Sequence, residues 1–89
     1  MSLFEWDQQK NEANKLKHGI SFEDTLPVFH DEQAVTIEDS HHGEQRWKTL
    51  GMGKYLIIVV VVFTHRNKIR IISARKATKT ERRKYESRR

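Results

Sequence analysis

The 89-residue sequence contains no cysteine. Disulfides, thiolate nucleophiles and cysteine-ligated metals are therefore excluded, and a reducing compartment is compatible with the chain. It has one proline and four glycines, and no linker, repeat or low-complexity tract, so residues 1–89 are read as a single domain. The longest apolar run, Leu56 to Phe63, falls far short of the roughly 20 residues a membrane-spanning helix needs. The opening MSLFEWDQQK lacks a basic segment followed by an apolar one, so a cytoplasmic protein without a membrane role is expected. Gly51 and Gly53 stand outside any phosphate-binding or dinucleotide fingerprint, and no nucleophile elbow occurs. Five histidines are present, but none forms a helical pair four residues apart. His41-His42 reads as a solvated surface pair, and neither a metal nor a cofactor is expected.

Basic charge is what the chain has in excess. Lysine and arginine number 17 against 12 acidic residues, and the isoelectric point is about 9.7, in the range of a nucleic-acid-binding footprint. The distribution says more than the total. Acidic side chains collect between residues 20 and 45, as Glu23, Asp24, Asp31, Glu32, Glu38, Asp39 and Glu44. From Arg66 onward only Glu81 and Glu86 interrupt the lysines and arginines. Such a chain folds into a molecule with one acidic and one basic side. At this length a single core is marginal, so stability can lean on a partner.

Hydrophobic periodicity predicts a small α+β domain. Leu3 to Trp6 is a short strand or packed arm. Asp7 caps a helix over Gln8 to Lys17 with a thin apolar stripe, Ala13 and Leu16, and Gly19 ends it in a left-handed conformation. Ser21 caps a second helix with Phe22, Leu26 and Phe29 on its buried face, shortened or kinked by Pro27. Strands follow at Ala34 to Glu38 and Gln45 to Leu50. A tight Gly51-Met52-Gly53 turn then leads into the β-branched run Leu56 to Phe63, which is apolar on both faces and so central. His65 to Lys68 form a turn. In Ile69 to Arg75 simple alternation sets Ile69, Ile71, Ser73 and Arg75 on one face and Arg70, Ile72 and Ala74 on the other. Thr78 and Glu81 make a capping box for a last, basic helix. The expected architecture is two N-terminal helices, a four-stranded antiparallel sheet and a C-terminal helix.

The residue types around the last strand admit metal-free RNA cleavage. That reaction needs a base for the 2′-OH, an acid for the leaving 5′-oxygen and cations on the crowded phosphate. Arginine suits the phosphate because its fork matches two oxygens. Arg75 and Arg70 are the candidates for that role, and Glu81, Tyr85, His18 and His65 for proton exchange. Arg66, Lys68, Lys76, Arg82 and Arg83 are candidates for binding the RNA backbone. The competing reading is a solvated basic face, with Tyr85 packing the last helix on the sheet and His18 merely ending a helix. Trp6 and Trp47 are read as core residues rather than base-stacking platforms.

Two stretches carry a family resemblance. FEWDQQKNEANKLKHGISF, from Phe4, resembles the opening F-x-W-D-x-x-K-x-x-x-N-x-x-K-H-G-I-x-F of the BrnT toxins. IRIISARKATKTERRKYE, from Ile69, resembles their closing I-R-I-I-S-A-R-x-A-x-x-x-E-R-x-x-Y-E. Glu44 and Arg46 match an E-x-R between them. Pro27, where a helix former is more usual, and the short Gly51-Met52-Gly53 turn depart from the pattern in the scaffold only. The resemblance implies a RelE-like fold and a ribonuclease toxin of a type II toxin–antitoxin pair that arrests translation. It also implies a BrnA-like antitoxin partner in a hetero-oligomer, with operator DNA reached only through that antitoxin. RelE-like toxins keep their working residues on the sheet face and the adjoining C-terminal segment, which places Arg70, Arg75, Glu81, Arg82 and Tyr85 in the site. The alternative is a non-catalytic nucleic-acid-binding module or a decayed toxin acting as co-repressor with its partner.

Overall fold

The computed structural model describes residues 3–40 and 43–87; the His41-His42 pair lies outside them. The first helix forms where its caps are. After the short strand β1 (Phe4–Glu5), Asp7 Oδ1 accepts from the backbone N–H groups of Gln9 at 2.8 Å and Lys10 at 3.2 Å and opens α1 (Gln8–His18). Gly19, at φ 72°, closes it with its N–H on Lys15 O, and three basic residues in the last turn suit the negative end of the helix.

The buried side of α1 differs from the expected stripe. Ala13 is exposed and Leu16 is 90% exposed, while Asn11 and Asn14 are buried. Hydrogen bonding explains the inversion. Asn14 Nδ2 donates to Ala74 O at 2.7 Å and Ile20 O at 3.1 Å, and its Oδ1 accepts from Ala74 N–H. Asn11 Oδ1 accepts from Phe22 N–H at 2.7 Å. Each buried amide thus satisfies backbone groups that no strand or helix reaches.

Glu23–His30 winds as a 3-10 helix rather than an α-helix. Pro27 has no N–H for the wider bond and crowds the carbonyl four residues back. Ser21 Oγ accepts from Asp24 N–H at its start. This helix delivers Phe22, Val28 and Thr25 to the interior, all almost fully buried.

The sheet has five strands rather than four, and it is mixed. The order is β1, β5, β4, β3, β2, with β2 at Val35–Glu38, β3 at Trp47–Met52, β4 at Ile58–His65 and β5 at Ile69–Lys76. β1 pairs parallel to β5, Phe4 opposite Ile69, and the other pairs are antiparallel. The apolar β4 is central, as its composition requires, but it begins at Ile58 rather than Leu56, which has φ 58° and is exposed in the preceding turn. β3 runs through Gly51 and Met52, so the connection falls three residues later than expected, at a 3-10 turn over Lys54–Leu56. Gly53 is needed there for space: a Cβ on it would lie 2.9 Å from the backbone oxygen of Asp24.

One sheet face packs under α1 and the 3-10 helix. Ile20, Phe22, Val28, Val59, Val61, Ile71 and Ala74 form its core, each fully buried large aliphatic side chain contributing about 1.5–3 kcal/mol. Trp6 packs on this core edge-to-face with Phe22, 6.0 Å between ring centroids, and Phe29 meets Phe63 at 5.1 Å. Trp47 is half-buried opposite Phe63. The final helix α2 (Lys79–Glu86) packs against β3. Its capping box is complete, with Glu81 N–H on Thr78 Oγ1 and Thr78 N–H on Glu81 Oε1.

Candidate nucleic-acid interface on the open sheet face

A β-bulge decides which arginines share a surface. Val62 lies opposite Ser73 and Phe63 opposite Ile71, so Ile72 is the extra residue on β5. Paired residues point to one face and alternate residues of β4 share it. Val60, Val62 and Thr64 therefore stand on one face with their partners Arg75, Ser73 and Arg70. On the other side of β4 the same face carries Lys48 and Leu50. Simple alternation put Arg70 and Arg75 on opposite faces; the bulge brings them together. Lys76 goes the other way, opposite Val59 and beside Gly19.

The face away from the core is a floor of valines bordered by cations. Over Val60 and Val62 lies a groove of about 250 Å³, walled by Lys48, Ser73, Arg75 and His18. His18 reaches it because α1 ends at the β5 edge, where Asn14 bonds both the N–H and the C=O of Ala74 in place of a neighbouring strand. The backbone beside Arg75 is thereby fixed.

Arg75 is joined two-pronged to Glu81: Nη1 to Oε1 at 2.7 Å and Nη2 to Oε2 at 3.0 Å. Nη1 also donates to Lys76 O at 3.3 Å. The hydrogen bond from Arg75, opposed by partial burial and helped by Thr78, lowers the Glu81 carboxyl to about 2. The same bond raises the Arg75 guanidinium against the opposing effect of its burial. Glu81 is thus a fixed anion near neutral pH, an acceptor rather than a proton donor. A guanidinium carries five N–H donors. The Nε–H and the outer Nη2–H, which form its side-on fork, engage no other group among the described residues.

The remaining candidates are dispersed. Arg70 sits at the far end of β5, 3.7 Å from Glu5, in a second depression of about 760 Å³ shared with Arg66, Lys68 and His65. Arg82 and Arg83 are exposed on α2. Tyr85 does not stand beside Arg75 in the groove. It is 2% exposed and its hydroxyl donates to Asp31 Oδ2 at 2.6 Å, where the Met52 N–H also donates. It ties α2 to the end of β3, which is the packing role open to it from the sequence. Lys48 and Ser73 were not singled out by sequence. The parity of Lys48 with Trp47 and Thr49 carried the signal, but only the register with Val62 places it beside Arg75. Among the described residues no helix is long and apolar enough to cross a membrane, and no three His, Asp or Glu side chains converge as metal ligands.

A family model described as the ribonuclease toxin, BrnT, of a type II toxin–antitoxin system matches residues 6–81. The crystal structure of the Brucella abortus ribonuclease toxin, BrnT, is similar: 27% identical, with a TM-score of 0.62 over 83% of this chain and 94% of that one. No curated protein matches the sequence. The matched segment begins at Trp6, runs through the α1 asparagines, the central strands and Arg75, and stops at Glu81, and so takes in every wall of the groove. The chain belongs to the BrnT family of ribonuclease toxins of type II toxin–antitoxin systems.

Proposed function

We propose that this chain is a metal-independent endoribonuclease toxin with a RelE-like fold, that it cuts RNA in the Arg75 groove and so inhibits translation in the cytoplasm, and that a BrnA-like antitoxin neutralises it in a hetero-oligomer. Operator DNA is reached only through that antitoxin. The observation that carries the reading is the convergence of Arg75, Lys48 and His18 on one groove of an otherwise open sheet face. In the reaction the substrate's 2′-oxygen attacks the adjacent phosphorus and the 5′-oxygen leaves. A base takes the 2′-OH proton and an acid returns one to the 5′-oxygen. His18 is the side chain in the groove suited to exchange a proton. Arg75, through its side-on fork, and Lys48 hold the phosphate oxygens as charge grows on them. Glu81 occupies the other fork and aims the guanidinium.

One observation favours the second reading, a non-catalytic binding module acting as co-repressor: the end-on fork of Arg75 is already filled. Induced expression without the partner, followed by growth and RNA integrity, separates the two. On the ribonuclease reading RNA is cut and growth stops. Arg75→Ala lowers the cleavage rate about a hundredfold in a protein that stays folded and melts only about 4–8 °C lower for the lost Glu81 pair, and Arg75→Lys recovers part of the rate. Intact RNA with the unaltered protein sinks the ribonuclease reading.

A further inference from the structure

The second depression on the open face has no part in the chemistry above. It lies between β1, the residues before β3 and the turn joining β4 to β5, and Glu5, Glu44, Arg66, Lys68 and Arg70 line it. Its charges are unevenly engaged. Glu5 lies 3.7 Å from Arg70 and Glu44 lies 3.2 Å from Arg46. Among the described residues Arg66 and Lys68 make no ion pair, and the hydrogen bond between them runs from backbone to backbone. Among the described residues these two cations are therefore unpaired at one end of the face, as Lys48 is in the Arg75 groove.

The register sets the distance between the two sites. Arg70 and Arg75 border different depressions on one face. Five residues less one bulge make about four strand steps, or roughly 13 Å. Between the two arginines the floor is continuous: Val62 belongs to the Arg75 groove, Thr64 to the other depression, and the bulged Ile72 lies on the same face, all three half-buried. At the roughly 3.4 Å that a stacked strand rises per nucleotide, this span takes about four nucleotides. Cations at both ends with an apolar strip between suit a single strand, whose phosphates meet the cations while its unpaired bases lie over the strip.

We propose that the depression at Arg66 and Lys68 is a second nucleotide subsite, and that one single-stranded RNA segment crosses the face from it to the Arg75 groove. This rests on the proposed function only in taking RNA as the ligand. The site selects for length and strandedness: a dinucleotide reaches one depression, and a duplex withholds its bases from the strip.

The test measures binding apart from cleavage. Labelled 2′-O-methyl oligonucleotides, which lack the attacking hydroxyl, are titrated at lengths of about two, four, six and eight nucleotides, chosen to bracket the span. The unaltered protein should bind more tightly up to about five or six nucleotides and level off. In Arg66→Ala/Lys68→Ala, with a melting curve matching the parent, the affinities for short and long probes should converge. Its salt slope on the long probe should fall by about 1.4, at roughly 0.7 for each phosphate that the removed cations had neutralised. Loss of the antitoxin from the double variant with long-probe binding intact assigns the surface to the protein partner and overturns the proposal, as does a parent whose affinity ignores length. Cleavage of an unmodified oligonucleotide is scored separately. A length step without cleavage keeps the two-site track and removes the ribonuclease reading; cleavage without a length step does the reverse.

Discussion

The Glu81 carboxylate accepts from the Thr78 N–H and from both Nη groups of Arg75, so one side chain starts α2 and holds the groove's arginine. This couples a helix cap to the site, and the coupling shows in the pH dependence of stability. The folded-state carboxyl, at about 2, lies below its ordinary 4.5. Between these values the unfolded chain binds the proton and the folded one does not. The contribution is therefore complete above pH 4.5 and is lost as the pH falls through 2. Solvent reaches the pair, so screening leaves on the order of 1 kcal/mol. Melting curves of the parent and of Glu81→Gln should accordingly converge on acidification. A difference that stays constant from neutral pH to pH 2 would show that the carboxylate's charge plays no part. Glu81→Gln should also slow cleavage more than it weakens RNA binding, because it loosens the aim of Arg75 and leaves the cation in place.

Elements were legible where their signals are local. Asp7, Gly19, Thr78 and Glu81 mark helix ends by backbone chemistry within a few residues, and all four do so in the structure; Ser21 accepts from Asp24 N–H, but the N-cap of the 3-10 helix is Phe22. The central strand is legible from its β-branched run. What failed depends on distant partners. Nothing local marks Asn11 and Asn14 as buried, because their hydrogen-bond partners, Phe22 and Ala74, are remote in sequence. The bulge at Ile72 is fixed by pairing with β4, and nothing in IRIISARK announces it, so the shared face of Arg70 and Arg75 was hidden. The short strand expected within Leu3 to Trp6 forms as β1, but two residues carry no local signal of their parallel pairing with β5, which makes the sheet five-stranded. The asparagine inversion is testable by urea denaturation. Asn14→Ala leaves the Ala74 and Ile20 backbone groups without their partner and should cost about 2–3 kcal/mol. Leu16→Ala should change stability by no more than about 0.5 kcal/mol. The reverse ranking would restore the apolar stripe as the buried side. Gly53→Ala, which drives a Cβ against the Asp24 carbonyl, should cost about 1–3 kcal/mol, whereas a mere turn glycine at its negative φ would tolerate the change.

On the scale of the whole molecule, one sheet face is closed by α1 and the 3-10 helix, and much of the other is open. The open face carries half-buried apolar residues, Val35, Val62 and Ile72, among Lys48, Arg70 and Arg75. The acidic residues from 20 to 45 belong mainly to the 3-10 helix, β2 and the loops about them. A partner that neutralises the toxin gains most by covering the open face, where it buries apolar surface and meets positive charge at once. Its carboxylates would compete with RNA for Lys48, Arg66 and Arg75, and complementary charge would speed the encounter. Hydrogen exchange on the complex is the discriminating measurement. Added antitoxin should slow exchange along β3, β5 and the β4–β5 turn. Association should also slow as salt is raised, because the attraction is screened within about 10 Å at 0.1 M. Protection confined to residues 20–45, with the turn at Arg66 exchanging as fast as in the free toxin, would mean that inhibition works from a distance and that the open face stays accessible in the complex.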